Sequence, residues 1–155
     1  MTTLWRISGY ADLSGEGGLG ASGRWHTEGK PIVYLADCPA GALLERIVHM
    51  TDMVEDANLP RCYQLLKVSV PDELAIKPLN ALAPADWKER FELTRAIGDA
   101  WFASLESPLA RVPSVIAPHT WNYLLNPEHP DAKQVQIAEV IKERFDNRLF
   151  RFGAR

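Results

Sequence analysis

The sequence predicts one soluble domain in which short β-strands are interleaved with two α-helices, and three observations carry that prediction. The chain has 155 residues, about the length of one ordinary domain and enough to bury roughly two-thirds of its unfolded surface around a single core. Hydrophobic residues make up 46% and charged residues 24%, the balance of a soluble globular chain, and no apolar run approaches the roughly 18 residues of a membrane span. Apolar spacing changes between period two and the helical period along the chain, and neither an internal repeat nor a linker divides it.

The elements follow in order. Leu4 to Ile7 reads as a short strand. The Gly- and Ser-rich stretch from Ser8 to Gly29 has neither helical nor strand periodicity and reads as a long loop. Loops of that length inside compact domains are uncommon and usually functional, so a ligand is sought there first. Pro31 to Ala36 returns to a strand, with Val33 and Tyr34 as favourable residues. Asp37-Cys38-Pro39 opens a helix. Ala40, Leu43, Leu44, Ile47 and Val48 recur at helical spacing, and the helix runs to about Met53. On it Glu45 and His49 lie one turn apart beside the apolar stripe, so the carboxylate is expected to be partly desolvated.

Tyr63 to Val70 alternates and ends at Pro71, giving a further strand. Pro84 opens a second helix carrying Trp87, Phe91, Ile97 and Trp101, which Gly98 weakens without ending. Val112 to Ala117 reads as a short strand containing Ser114. Trp121 to Leu125 continues into Asn126-Pro127-Glu128-His129-Pro130, which is turn chemistry. Gln134 to Phe145 fits both periods and is assigned as a strand.

A net charge of -3 with intermixed signs argues against a nucleic-acid surface but leaves room for a local anion site. Met1 to Arg6 lacks the basic start and apolar stretch of a secretory signal, which predicts a cytoplasmic protein. In that compartment Cys38 and Cys62 are expected to be packing residues rather than a disulfide. His26, His49, His119 and His129 lack zinc-like spacing with the cysteines, and no metal site is read.

Gly15-Glu16-Gly17-Gly18-Leu19-Gly20 has the spacing of a dinucleotide fingerprint. That motif works by leading a strand directly into a helix whose amino terminus holds a pyrophosphate, whereas here the chain passes through Arg24-Trp25 into another strand. A Rossmann reading is rejected. Arg24, between Gly23 and Trp25, is either a surface arginine or a bidentate contact to phosphate, and Arg6 could make a second contact to the same ligand. Glu45 is either an ordinary helix residue or a carboxylate that stabilises positive charge growing at the anomeric carbon of a ribose. One carboxylate suffices where the leaving group needs no proton, as for nicotinamide leaving as a neutral pyridine. Ser114 has no Gly-x-Ser-x-Gly elbow, so a hydrogen-bonding role fits it better than nucleophilic attack. Tyr34 is a core aromatic by default, raised above that by lying between Arg24 and Glu45.

Several stretches in order resemble the RES domain family: Trp5-Arg6-Ile7, Gly23-Arg24-Trp25 with Gly29 and Tyr34, Leu44-Glu45 with His49, Pro113-Ser114, Asn122 to Pro127 with His129-Pro130, and Asn147-Arg148-Leu149-Phe150. Where many family members carry Asn after the Arg-Trp pair, this chain has His26. The resemblance covers nearly the whole chain, residues 1–155 as one RES domain. It implies an ADP-ribosyltransferase-like α+β fold, with a mixed, split central sheet flanked by helices and the cofactor in a cleft between sheet parts. By position it makes Arg24, Tyr34 and Glu45 the catalytic residues, and Arg6, Arg24, Tyr34, His49, Ser114 and Asn126 the substrate-binding ones. It further implies a bacterial toxin that cleaves NAD+ at the nicotinamide–ribose bond by hydrolysis or phosphorolysis, restrained by an Xre-like antitoxin with a helix-turn-helix domain. Two other readings stay open: transfer of ADP-ribose to a specific protein, and a non-catalytic nucleotide-binding module. A second copy of the chain is a further candidate partner.

Overall fold

The computed structural model describes residues 1–51, 60–79 and 84–150. Its strands are β1 (Thr2–Ile7), β2 (Val33–Ala36), β3 (Cys62–Val70), β4 (Ile76–Pro78), β5 (Leu109–Pro113), β6 (Trp121–Leu125) and β7 (Gln136–Arg144), and its helices are α1 (Glu16–Gly20), α2 (Pro39–Thr51) and α3 (Phe91–Ser104). The strands form one mixed sheet in the order β4-β5-β6-β2-β1-β3-β7. Only the β4–β5 pair is parallel; the others are antiparallel. The sheet is nearly split at its middle, because β1 and β2 pair only at Trp5↔Ala36, whereas β1 pairs β3 from Thr2↔Val70 to Ile7↔Leu65. Among the described residues no helix is long and apolar enough to cross a membrane.

Strand alternation sorts the apolar residues onto two faces. Leu4, Val33, Leu35, Leu66, Val68, Val70, Leu109 and Leu125 form a continuous core on one face. The opposite face carries two separate patches. In one, Trp101 and Phe102 of α3, with Trp25 and Ile32, pack on Ala110, Val112 and Leu124. In the other, Ala42 of α2 packs with Ala36, Leu65, Trp5 and Ile7. The gap between these patches lies over the β2–β1 junction.

Several expectations are corrected. The stretch from Ser8 to Gly29 contains α1, a five-residue helix entered from Gly15 in a left-handed conformation (φ 73°), too short for its apolar spacing to show. Pro84 does not begin the second helix: a short 3-10 turn spans Trp87–Glu89, and α3 starts at Phe91. The strand expected over Val112 to Ala117 is β5, shifted toward the amino terminus, because Pro113 ends it and Ser114 enters a turn. β4, three residues long and ending in a proline, carries no strand signal in the sequence. Cys62 is exposed rather than packed, while Cys38 is half-buried, with its Sγ accepting a hydrogen bond from the Gly41 N–H. The ambiguous carboxy-terminal segment is the strand β7. The expected end of α2 near Met53 lies outside the described residues.

Candidate active site

The gap between the two patches is a cleft of about 410 Å³. Its walls come from α2, the turn from Ala21 to His26, β1 and β2, with Asn122 of β6 and Pro113 at the far end. Arg6, Arg24, Tyr34, Glu45 and His49 all line it, although they come from four separate stretches of sequence.

The turn that carries Arg24 is fixed from both sides. Tyr34 sits on β2 with its hydroxyl accepting from the Trp25 N–H at 3.1 Å and lying 2.7 Å from His26 Nδ1. The other ring nitrogen, Nε2, faces the carbonyls of Ala21 (3.0 Å) and Gly18 (3.3 Å). Two carbonyls require Nε2 to carry the proton, so Nδ1 accepts and Tyr34 donates to it. Burial pushes the His26 pKa below its ordinary value, against the opposing pull of those carbonyls, and raises that of Tyr34. Both side chains are therefore neutral. Gly23 is obligatory here because a Cβ would fall 2.5 Å from the Tyr34 hydroxyl and 2.8 Å from the His26 ring.

From the other side, α3 holds the same turn through one stripe of residues. Thr94 Oγ1 donates to the Arg24 carbonyl (2.7 Å), Arg95 Nε to the Gly23 carbonyl (2.8 Å), and the Asp99 carboxylate accepts from the Thr27 N–H (3.0 Å) and hydroxyl (2.7 Å). Trp25 points into the core and is 2% exposed.

The two arginines differ in how free they are. Arg24 Nη2 donates to the carbonyls of Trp87 and Lys88, and its guanidinium lies 4.3 Å from the Phe91 ring centre. One guanidinium nitrogen is thus engaged, which sequence alone did not indicate, while Nε is buried without a partner. Arg6 makes one long bond, 3.5 Å from Nη1 to the Asp12 carbonyl. Burial lowers its pKa, partly offset by the Asp12 carboxylate. Arginine stays cationic regardless, so Arg6 is a desolvated charge with little local compensation.

Glu45, half-buried on α2, accepts hydrogen bonds from Asn122 Nδ2 (2.8 Å) and Ser114 Oγ (3.1 Å). Ser114 thus meets the carboxylate and does not line the cleft. Asn126 is not brought to the cleft at all: it is fully buried, donating to the Phe102 carbonyl and accepting from the Glu128 N–H in the turn after β6. Two cleft residues escaped sequence reasoning. Arg46, on α2 beside Glu45, carries no sequence signal. Asn122 carried one, since asparagine is a poor strand former and sits inside an otherwise apolar and aromatic strand. Among the described residues no group of three or more His, Cys, Asp or Glu side chains is arranged to hold a metal ion.

The chain is similar to known proteins over nearly its full length. It is 46% identical to Toxin Res of Pseudomonas putida over 95% of this chain and 99% of that one. It is 36% identical to the Prs ADP-ribosylating toxin of a Sphingobium species over 97% of this chain and 98% of that one. A solved structure of the MbcT-MbcA toxin–antitoxin complex of M. tuberculosis has the same fold, with a TM-score of 0.68 at 22% identity over 92% of this chain and 84% of that one. The family model described as the RES domain matches residues 3–147, and the chain belongs to the RES domain family.

Proposed function

We propose that the protein is the toxin of a toxin–antitoxin pair and cleaves NAD+ at the nicotinamide–ribose bond. The observation that carries this reading is Glu45. Its carboxylate is fixed on the cleft wall by two donors, in the same cavity as the aromatic Tyr34 and the cations Arg6, Arg24 and Arg46. In the proposed reaction the C–N bond breaks with its electron pair passing to nicotinamide, which leaves neutral and needs no general acid. Positive charge grows on the ribose, and a fixed anion beside it lowers the barrier. Water or phosphate then forms the new C–O bond and loses its proton to solvent. Arg6 and Arg24 are the proposed contacts to the diphosphate, Arg6 being the freer, with Tyr34 beside the nicotinamide ring and His49 at the cleft edge. Ser114 acts on Glu45 rather than on substrate.

A second reading, transfer of ADP-ribose to a protein, is favoured by the likeness to the Prs ADP-ribosylating toxin and uses the same cleft. The test is to incubate purified protein with NAD+, with and without phosphate, and resolve nicotinamide, ADP-ribose and its phosphorylated form chromatographically. Nicotinamide release is expected, falling at least roughly a hundredfold in Glu45→Gln, the scale of lost electrostatic stabilisers. Wild-type turnover by that variant would refute the assignment. Release only when a target protein is added would favour the second reading.

A further inference from the structure

Both hydrogen bonds to Glu45 land on the same oxygen. Asn122 Nδ2 and Ser114 Oγ each reach Oε1, while Oε2 has no hydrogen bond among the described residues. The two donors stand on the β4-β5-β6-β2 half of the nearly split sheet, whereas α2 packs over the junction, on β1 and β2. Asn122 is in β6, pairing with Ala36 of β2, and Ser114 begins the turn after β5.

Neither donor has freedom to do otherwise. The Ser114 oxygen already accepts the N–H groups of Ile116 (3.1 Å) and Ala117 (3.2 Å), so its one proton is left for Glu45. The Asn122 amide must turn its nitrogen to Oε1, since the flipped orientation would set two acceptors 2.8 Å apart. In that orientation its Oδ1 is buried without a partner. An unpaired buried carbonyl is costly, and the cost is incurred to keep the bond to Glu45.

We infer that Asn122 is a positioning residue which, with Ser114, pins Oε1 of Glu45 and leaves Oε2 as the oxygen offered to the developing cation. This rests on the reaction proposed above. The pinning also ties α2 to β6 and to the turn after β5, so the carboxylate is placed relative to the sheet rather than riding on its helix alone.

The discriminating variant is Asn122→Asp, which keeps the shape but sets a second carboxylate against Oε1. Two carboxylates at that distance share a proton and raise an apparent pKa of the pair. The acid limb of the kcat–pH profile is expected to move to higher pH by about one unit or more, with KM for NAD+ changed by less than about twofold. Asn122→Ala is expected to lower kcat roughly ten- to a hundredfold through misplacement without moving the profile. The Asn122→Ala/Ser114→Ala double variant should lose less than the product of the single losses, because both donors act on one atom. An unshifted profile for Asn122→Asp, or kcat losses that merely follow a fall in Tm, would overturn the inference. A carboxyl-carbon NMR titration of Asn122→Asp separates the two ideas. If wild-type protein releases no nicotinamide yet the coupled pair still titrates high, the reaction assignment fails and the pairing stands; if no coupled titration appears, the pairing fails whatever the turnover.

Discussion

His26 shows what a single residue decides. The structure makes it the keystone of the turn that presents Arg24: its ring joins the Tyr34 hydroxyl to the carbonyls of Ala21 and Gly18. The folded state needs it neutral, and burial lowers its pKa from 6.5. The unfolded chain therefore takes up a proton first as pH falls, and stability that is full above about 6.5 is lost as pH drops through the lower folded value. Melting temperature should thus decline on acidification in this window. His26→Asn should remove that component while leaving the carboxylate-driven decline at lower pH. Calorimetric scans of both proteins from about pH 5 to 8 would check it, and equal slopes would mean that His26 does not titrate between the two states. Tyr34 was legible as a residue between Arg24 and Glu45, but its hydroxyl is spent on the turn, which no spacing in the sequence indicates.

At the scale of elements, the informative pair is α3 and the glycine-rich turn. Gly98 reads in sequence as a weak point of a helix, yet it is where the turn docks: a Cβ there would lie 1.7 Å from the Trp25 carbonyl oxygen and 2.8 Å from its carbon. Alanine would gain about 1 kcal/mol of helix propensity, whereas overpacking costs about 1–3 kcal/mol even where side chains can yield, and here the obstacle is backbone. Gly98→Ala should therefore destabilise the fold by about 2 kcal/mol net, read as a lower denaturant midpoint, and should weaken NAD+ binding because the turn carrying Arg24 is displaced. A variant as stable as wild type would show that α3 and the turn separate at little cost. Elements with long period signals, α2, α3 and β3, were legible, and β7 fitted both periods; α1 and β4 were not legible, because five and three residues are too few to display a period.

The whole molecule is organised by the near-split of its sheet. One face is a continuous core, and the other leaves a cleft between the patches under α2 and α3, open where β1 and β2 barely pair. A toxin that consumes a shared cofactor must be restrained in its own cell, and we expect the proposed antitoxin to cover this cleft beside α1 and the segment from Gly15 to Gly23. If so, antitoxin affinity should weaken progressively with rising concentrations of a non-cleavable NAD+ analogue, since each ligand stabilises a state the other cannot enter. Affinity independent of the analogue would place the inhibitory surface elsewhere.

The sequence by itself determined what depends on local chemistry and on ordered motifs. Strand alternation, helical spacing and turn residues gave most elements, and the ordered stretches from Trp5-Arg6 to Asn147-Arg148 indicated the family and, with it, Arg6, Arg24, Tyr34, Glu45 and His49 as cleft residues. Only the tertiary structure decided which polar groups meet. Asn122 and Ser114 reach Glu45 across 77 and 69 residues of chain, Asn126 turns into the core, and Arg24 shares its fork with the carbonyls of Trp87 and Lys88. Period and propensity report which face of an element a side chain takes. Hydrogen bonds between elements depend on strand order and register, which are set by how the whole chain buries its apolar surface.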